Sequence, residues 1–256
     1  KDHTHNQHIS AQCYITFLFF IIYTSMTADK RKYGFRRAFT LRPHLLKGML
    51  SISGWTMVQS FISVSIWFIF FLAIEHLGER PLAVTNIVRN ISALLIMVIS
   101  AFATTAGALI SNQIGAGEQR CLFKTCGMTL KLTYAILIPL LIILCLFPES
   151  VLRAFTDSPS LIAASVNSVY VMASSTLIMA PSFILFNAVS GTGNTRAGFI
   201  MEMISLAVYT AVIYYGIIRL KPDVALCWFS EHVYGVTLIF LAWWYLKSGK
   251  WRGKKV

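Results

Sequence analysis

Acidic side chains are scarce. Ten Asp and Glu stand against twenty-two Lys and Arg, and charged residues make up only 12% of the 256-residue chain. Hydrophobic residues make up 56% and mean hydropathy is +0.67, more apolar surface than one soluble core of this size can hide but within what a bilayer can take. The five cysteines, Cys13, Cys121, Cys126, Cys145 and Cys227, form no CxxC pair. Three lie in or beside apolar runs, so the cysteines read as small apolar packing residues, with no disulfide framework and no metal site expected. HExxH, GxSxG and clustered acids are missing, so no enzyme is indicated. Long polar stretches are missing too, so no loop could hold a soluble domain. The net charge of +12 would point to nucleic acid in a soluble protein. Here the basic residues flank apolar runs, which assigns them to lipid headgroups and topology instead and leaves no nucleic-acid partner.

What is present is a series of long apolar runs. About 20 such residues cross a bilayer as a helix. Seven runs qualify: Ile9–Met26, Leu50–Ile74, Leu82–Ile110, Leu122–Phe147, Leu161–Val189, Ala197–Ile218 and Val224–Leu246. An all-α integral membrane protein follows. The third and fifth runs exceed one span, so they tilt or continue outside the hydrocarbon. Short breaker-rich segments join the runs, among them "HLGERP", "SGTGNTR" and "RLKPD", and "FPESVLRAFTDSPS" is expected to hold a short surface helix. Assigning alternate connections to opposite sides puts fifteen basic residues on one side and four on the other. The positive-inside rule makes the first side cytoplasmic, with the C-terminus inside and the N-terminal stub outside. Trp243, Trp244, Tyr245 and Trp251 fit an inner interfacial belt. The stub carries His3, His5 and His8, read as a solvated loop rather than a metal site.

Ionisable residues inside a span are costly, about 2.5–3.5 kcal/mol each on insertion scales, and are therefore informative. Arg89, Glu202 and Glu231 stand out. Gly198, Glu202, Ser205 and Tyr209 share one helical face, which should turn toward other helices or a cavity. A role for Glu202 in carrying a proton or binding substrate weighs evenly against simple pairing with nearby Arg196. Cys227, Glu231, Tyr234, Gly235 and Leu238 share another face. Arg89 and Glu231 lie at matched depth, which predicts a buried ion pair acting as a structural element or gate, with Asn86 and Asn90 completing its hydrogen bonds. Trp55, Gln59 and Ser63 form a polar-aromatic stripe on the second run, Asn187 lies late on the fifth, and Tyr170 and Ser174 lie earlier on it. Each alone is best explained as an interhelical hydrogen bond. Together with Asn86, Asn90 and Tyr209 they could line a cavity for aromatic or cationic compounds. Pro139 and Pro181 interrupt the fourth and fifth runs, each freeing a carbonyl.

Two motifs resemble a known family. "AGALISNQIGAGEQRCLFK", Ala106–Lys124, follows the third run, and "NAVSGTGNTRAG", Asn187–Gly198, follows the fifth. Both resemble the cytoplasmic helix-end motifs of the bacterial MATE (multidrug and toxic compound extrusion) transporters. Small residues there let helix ends approach, and the glycines permit the turn. The resemblance covers the chain from about Ile9 onward, matching that family's sixth to twelfth helices. It implies residues 1–29 as an external stub and the last helix of a first lobe, 30–49 as a basic cytoplasmic linker, 50–247 as a six-helix C-lobe, and 248–256 as a basic tail. An absent N-terminal lobe would be the main partner beside the bilayer, and the odd helix count would follow from truncation. The implied activity is export of small amphiphilic, often cationic drugs in exchange for H⁺ or Na⁺ by alternating access at the inner cell membrane, with no further cofactor. Family members carry coupling acids on the seventh and tenth helices, yet Trp55–Ser63 and Ser175–Met179 contain none. Coupling in this half would then fall to Glu202 or Glu231, with Glu202 preferred. A flippase of lipid-linked sugars from the same superfamily is the nearest alternative; it would need a more basic cavity for its phosphates. A seven-helix receptor fits the helix count but lacks an NPxxY-like ending.

Overall fold

A computed structural model describes residues 17–24, 26–27, 43–249 and 251. The stub histidines, much of the first apolar run, basic residues 30–42 and tail residues 252–256 lie outside them. The chain divides into two compact units, Lys1–Ser51 and Ile52–Val256. In the first, residues 17–24 form a helix, α1, within the expected first span. Helix α2 runs Pro43–Glu75. It begins seven residues before the run read from sequence, inside the stretch assigned to the linker: Pro43 opens it at the position where proline is tolerated, and no second proline follows before Leu50.

The second unit is a helical bundle. After α2 come α3 (Glu79–Gly115), α4 (Leu122–Leu146), the short α5 (Pro148–Arg153), α6 (Pro159–Gly191), α7 (Thr195–Val212), α8 (Val224–Cys227) and α9 (Ser230–Ser248). Six segments among the described residues are long and apolar enough to cross a membrane. No strand occurs among the described residues. Punctuation follows local chemistry. Gly78 takes φ +119 between α2 and α3, and Gly117 and Gly193 adopt positive φ at the ends of α3 and α6. Pro148 and Pro159 open α5 and α6, where a missing N–H costs nothing. The Asn194 side chain caps α7 by accepting from the Ala197 N–H at 3.2 Å, and its amide donates to the Tyr245 hydroxyl on α9.

Side chains set the packing, since lipid offers no hydrophobic drive between helices. Helices α3 and α6 approach backbone to backbone at Gly107 and Gly191. A Cβ on Gly191 would sit 2.5 Å from the Gly107 carbonyl oxygen, and one on Gly107 would sit 3.0 Å from that of Asn187. The two sequence motifs therefore meet, each supplying the small residue the other needs. Pro181 lies inside α6 without ending it. The carbonyl it leaves without an amide partner, Leu177 four residues earlier, accepts from the Tyr134 hydroxyl of α4 at 2.7 Å.

Two helices depart from the sequence reading. The last apolar run is interrupted at Trp228–Phe229, which divides it into α8 and α9. Glu231 therefore sits in the first turn of a helix, not at mid-helix. The sixth run ends as a π-helical segment, Ile213–Arg219. Trp251 is 2% exposed, and its indole N–H donates to Leu246 O. It packs in the core, not at an exposed belt, while Trp243 and Trp244 are exposed, with the Lys247 ammonium 4.5 Å from the Trp243 ring centre.

Candidate functional site: two buried carboxylates in one cavity

Helices α7 and α9 run antiparallel, and each carries one acid and one tyrosine. Glu202 and Tyr209 lie seven residues apart on α7, one face of a helix. Glu231 and Tyr234 lie three apart on α9. The pairs cross over. Tyr234 donates its hydroxyl to Glu202 Oε1 at 2.9 Å, and Tyr209 donates to Glu231 Oε1 at 2.8 Å. The two rings meet edge to face with centroids 5.8 Å apart. From α2, the Ser63 hydroxyl reaches Glu202 Oε1 at 3.0 Å. Glu202 is 4% exposed and Glu231 7%, with no basic partner for either among the described residues. Hydroxyl dipoles and rings, rather than counter-charges, hold both acids.

The acids open into a cavity of about 310 Å³. Gln59, Ser63 and Trp67 of α2 form one wall; Ser100 and Thr104 of α3 and Phe183, Phe186 and Asn187 of α6 form others. Tyr209, Glu231 and Tyr234 close it from α7 and α9. Tyr234 packs against three apolar clusters at once, so it is fixed where they join. Asn187 donates to Phe183 O at 2.9 Å, four residues back on its own helix, which leaves its side-chain oxygen as an acceptor at the cavity. The arrangement presents two carboxylates among aromatic faces, chemistry that suits a cation and repels an anion.

Several expected residues come together here: Glu202, Glu231, Gln59, Ser63, Asn187 and Tyr209 all line the cavity. Trp55 lies on α2, but its side chain is outside the described set. Others are placed elsewhere. Arg89 and Glu231 do not pair: Arg89 is exposed on α3 with its guanidinium 4.8 Å from the Phe71 ring centre, while Glu231 is buried against Tyr209. Matched depth did not suffice, because the two side chains leave their helices in different directions. Asn86 and Asn90 share the exposed face of Arg89 and do not line this cavity. Tyr170 reaches Cys145 O at 3.4 Å, and Ser174 lies 2.9 Å from His232 Nε2, both away from the cavity. Sequence reasoning missed Tyr234 as a site residue, although its helical register with Glu231 was a signal. It also missed Trp67, Ser100 and Thr104. A further basic residue, Lys131, lies inside α4 and is exposed.

The sequence model of the MatE family matches residues 56–215, more than half the chain. The chain belongs to the MatE family. It is therefore a multi-pass membrane protein from a family of transporters, not enzymes. Among solved structures, the Vibrio cholerae MATE transporter VcmN in its bent form matches with TM-score 0.73 at 15% identity, covering 81% of this chain and 48% of that one. A multidrug resistance MATE family transporter of the MOP superfamily in an outward-facing conformation matches with TM-score 0.70 at 14% identity, covering 80% and 46%. A MOP superfamily transporter from Pyrococcus furiosus, whose binding pocket has reversed polarity suggesting a different function, matches with TM-score 0.69 at 14% identity, covering 78% and 44%. At these identities the likeness establishes the fold. The MatE chain described here spans less than half the length of each of these transporters. No curated protein matches it by sequence.

Proposed function

We propose that this chain is the cation-exchanging half of a secondary transporter that exports amphiphilic, positively charged compounds in return for H⁺ or Na⁺. The observation that carries the reading is the crossed pair of buried acids facing an aromatic-walled cavity with no basic side chain in its lining. An acid held only by hydroxyls can give them up to a cation and take them back when the cation leaves. Glu202 is the preferred coupling residue, because its two donors come from α2 and α9 and so register any shift between those helices. Residues 50–247 act as one lobe, residues 30–49 as a linker on the cytoplasmic side, and a second lobe completes the alternating-access machine. The C-terminus is cytoplasmic and the membrane is the inner cell membrane.

The lipid-linked sugar flippase gains no support from the cavity, whose charges would oppose a phosphate. Full-length protein in liposomes tests the choice, with either an H⁺ or a Na⁺ gradient imposed. The reading expects export of a cationic dye, lost in Glu202→Gln, and no flipping of a lipid-linked sugar. Dye export by Glu202→Gln at wild-type rate with unchanged ion dependence would remove Glu202 from coupling, and sugar flipping would overturn the substrate class.

A further inference from the structure

Lys131 has no part in the cavity. It lies on α4, which spans Leu122–Leu146, with exposed Met128 and Leu132 beside it. No acid occurs anywhere on α4, and Lys131 makes no ion pair among the described residues. A helix of 25 residues is roughly 37 Å long and exceeds the roughly 30 Å hydrocarbon layer. Its far end is set by Phe147 and by α5, whose exposed Glu149 and Arg153 belong at a polar interface. Counting about 20 residues back from Leu146 puts the near edge of the hydrocarbon around Gly127. Lys131 then lies about 6 Å inside that edge, and Lys124 lies outside it.

The geometry between these two lysines is that of a bracket. They are seven residues apart, so they share a helix face about 10 Å apart along the axis. Side chains in a helix lean toward its N-terminus, so Lys131 leans toward Lys124 and its roughly 6 Å stem carries the ammonium to the headgroup level. The surface between them is open: a Cβ added at Gly127 would meet nothing within 4 Å. Arg120 is exposed one turn beyond Lys124, with Glu118 before it as the nearest acid in sequence. An occupant must neutralise two ammonium groups at one end and tolerate exposed Met128, Ile138 and Ile142 beside and beyond them. A water-soluble anion meets only the first requirement. We infer that Lys124 and Lys131 of α4 bracket the phosphate of an anionic phospholipid, whose acyl chain runs along the exposed apolar face they share toward Ile138 and Ile142.

Full-length protein in nanodiscs of phosphatidylcholine, with and without phosphatidylglycerol, tests this. Bound phosphatidylglycerol is counted by native mass spectrometry, and the thermal midpoint is read in each membrane. Wild type should retain phosphatidylglycerol and melt higher when it is present. Lys124→Gln and Lys131→Gln should each lower its retention about fivefold, and Lys131→Arg should preserve it. Lys131→Met, which restores an apolar surface, should fold and melt at or above wild type in phosphatidylcholine alone while losing the phosphatidylglycerol gain. Equal gains for wild type and Lys131→Met would overturn the inference. So would carbodiimide cross-linking of Lys131 to a protein carboxylate in both membranes, which would make its partner an acidic segment of protein.

Discussion

Glu202 and Glu231 each depend on a tyrosine from the other's helix. Removing one hydroxyl therefore disturbs an acid on a different element. Tyr234→Phe should cost about 1–2 kcal/mol, since it strips one of two donors from a buried carboxylate. Ser63→Ala should cost a similar amount, and the double variant should differ from their sum because both donors serve Glu202 Oε1. Thermal unfolding of the full-length protein in detergent reads both. Simple additivity would mean that the two hydroxyls do not share one acceptor. The helical face of Glu202 was legible in the sequence, since Gly198, Glu202, Ser205 and Tyr209 recur at helical spacing and all four are buried. Its partner Ser63 was not, being 139 residues away. Pairing by depth alone put Arg89 with Glu231 and failed, because depth says nothing of the direction in which a side chain leaves its helix.

Between elements, glycine and proline do opposite work. Gly107 and Gly191 let α3 and α6 touch backbone to backbone. Gly191→Ala should cost about 1–3 kcal/mol of overpacking, seen as a lowered thermal midpoint, whereas Gly127→Ala, which meets open space, should not. Pro181 leaves the Leu177 carbonyl to Tyr134. Tyr134→Phe should therefore destabilise by about 0.6 kcal/mol, up to roughly 1.7, and by less when Pro181→Ala restores the amide donor. An equal loss in both backgrounds would show that the hydroxyl is not serving the carbonyl that proline frees. Hydropathy and breakers revealed most elements: the described spans correspond to six of the seven apolar runs, and α5 lies where a surface helix was expected. The α8–α9 break was hidden, because "VALCWFSEHVYG" has no breaker before Glu231, although the helix is interrupted at Trp228–Phe229.

At the scale of the whole molecule, acids are scarce in the sequence, ten against twenty-two Lys and Arg, yet two of the ten line the same cavity. Under the proposed orientation, a cysteine placed after Ser248 should react with a membrane-impermeant thiol reagent only from the cytoplasmic side. Labelling from outside intact cells would reverse the orientation. The MatE fold was readable from two short motifs, because close helix approach and tight turns demand specific small residues. Substrate and ion were not, because they depend on side chains brought together from five helices. The most direct measurement is binding of a fluorescent cationic substrate to the full-length protein, titrated against H⁺ and Na⁺. The account predicts that one of these ions displaces the dye competitively from wild type, and that Glu202→Gln and Glu231→Gln together abolish the competition and weaken dye binding. Unchanged affinity and competition in the double variant would contradict it.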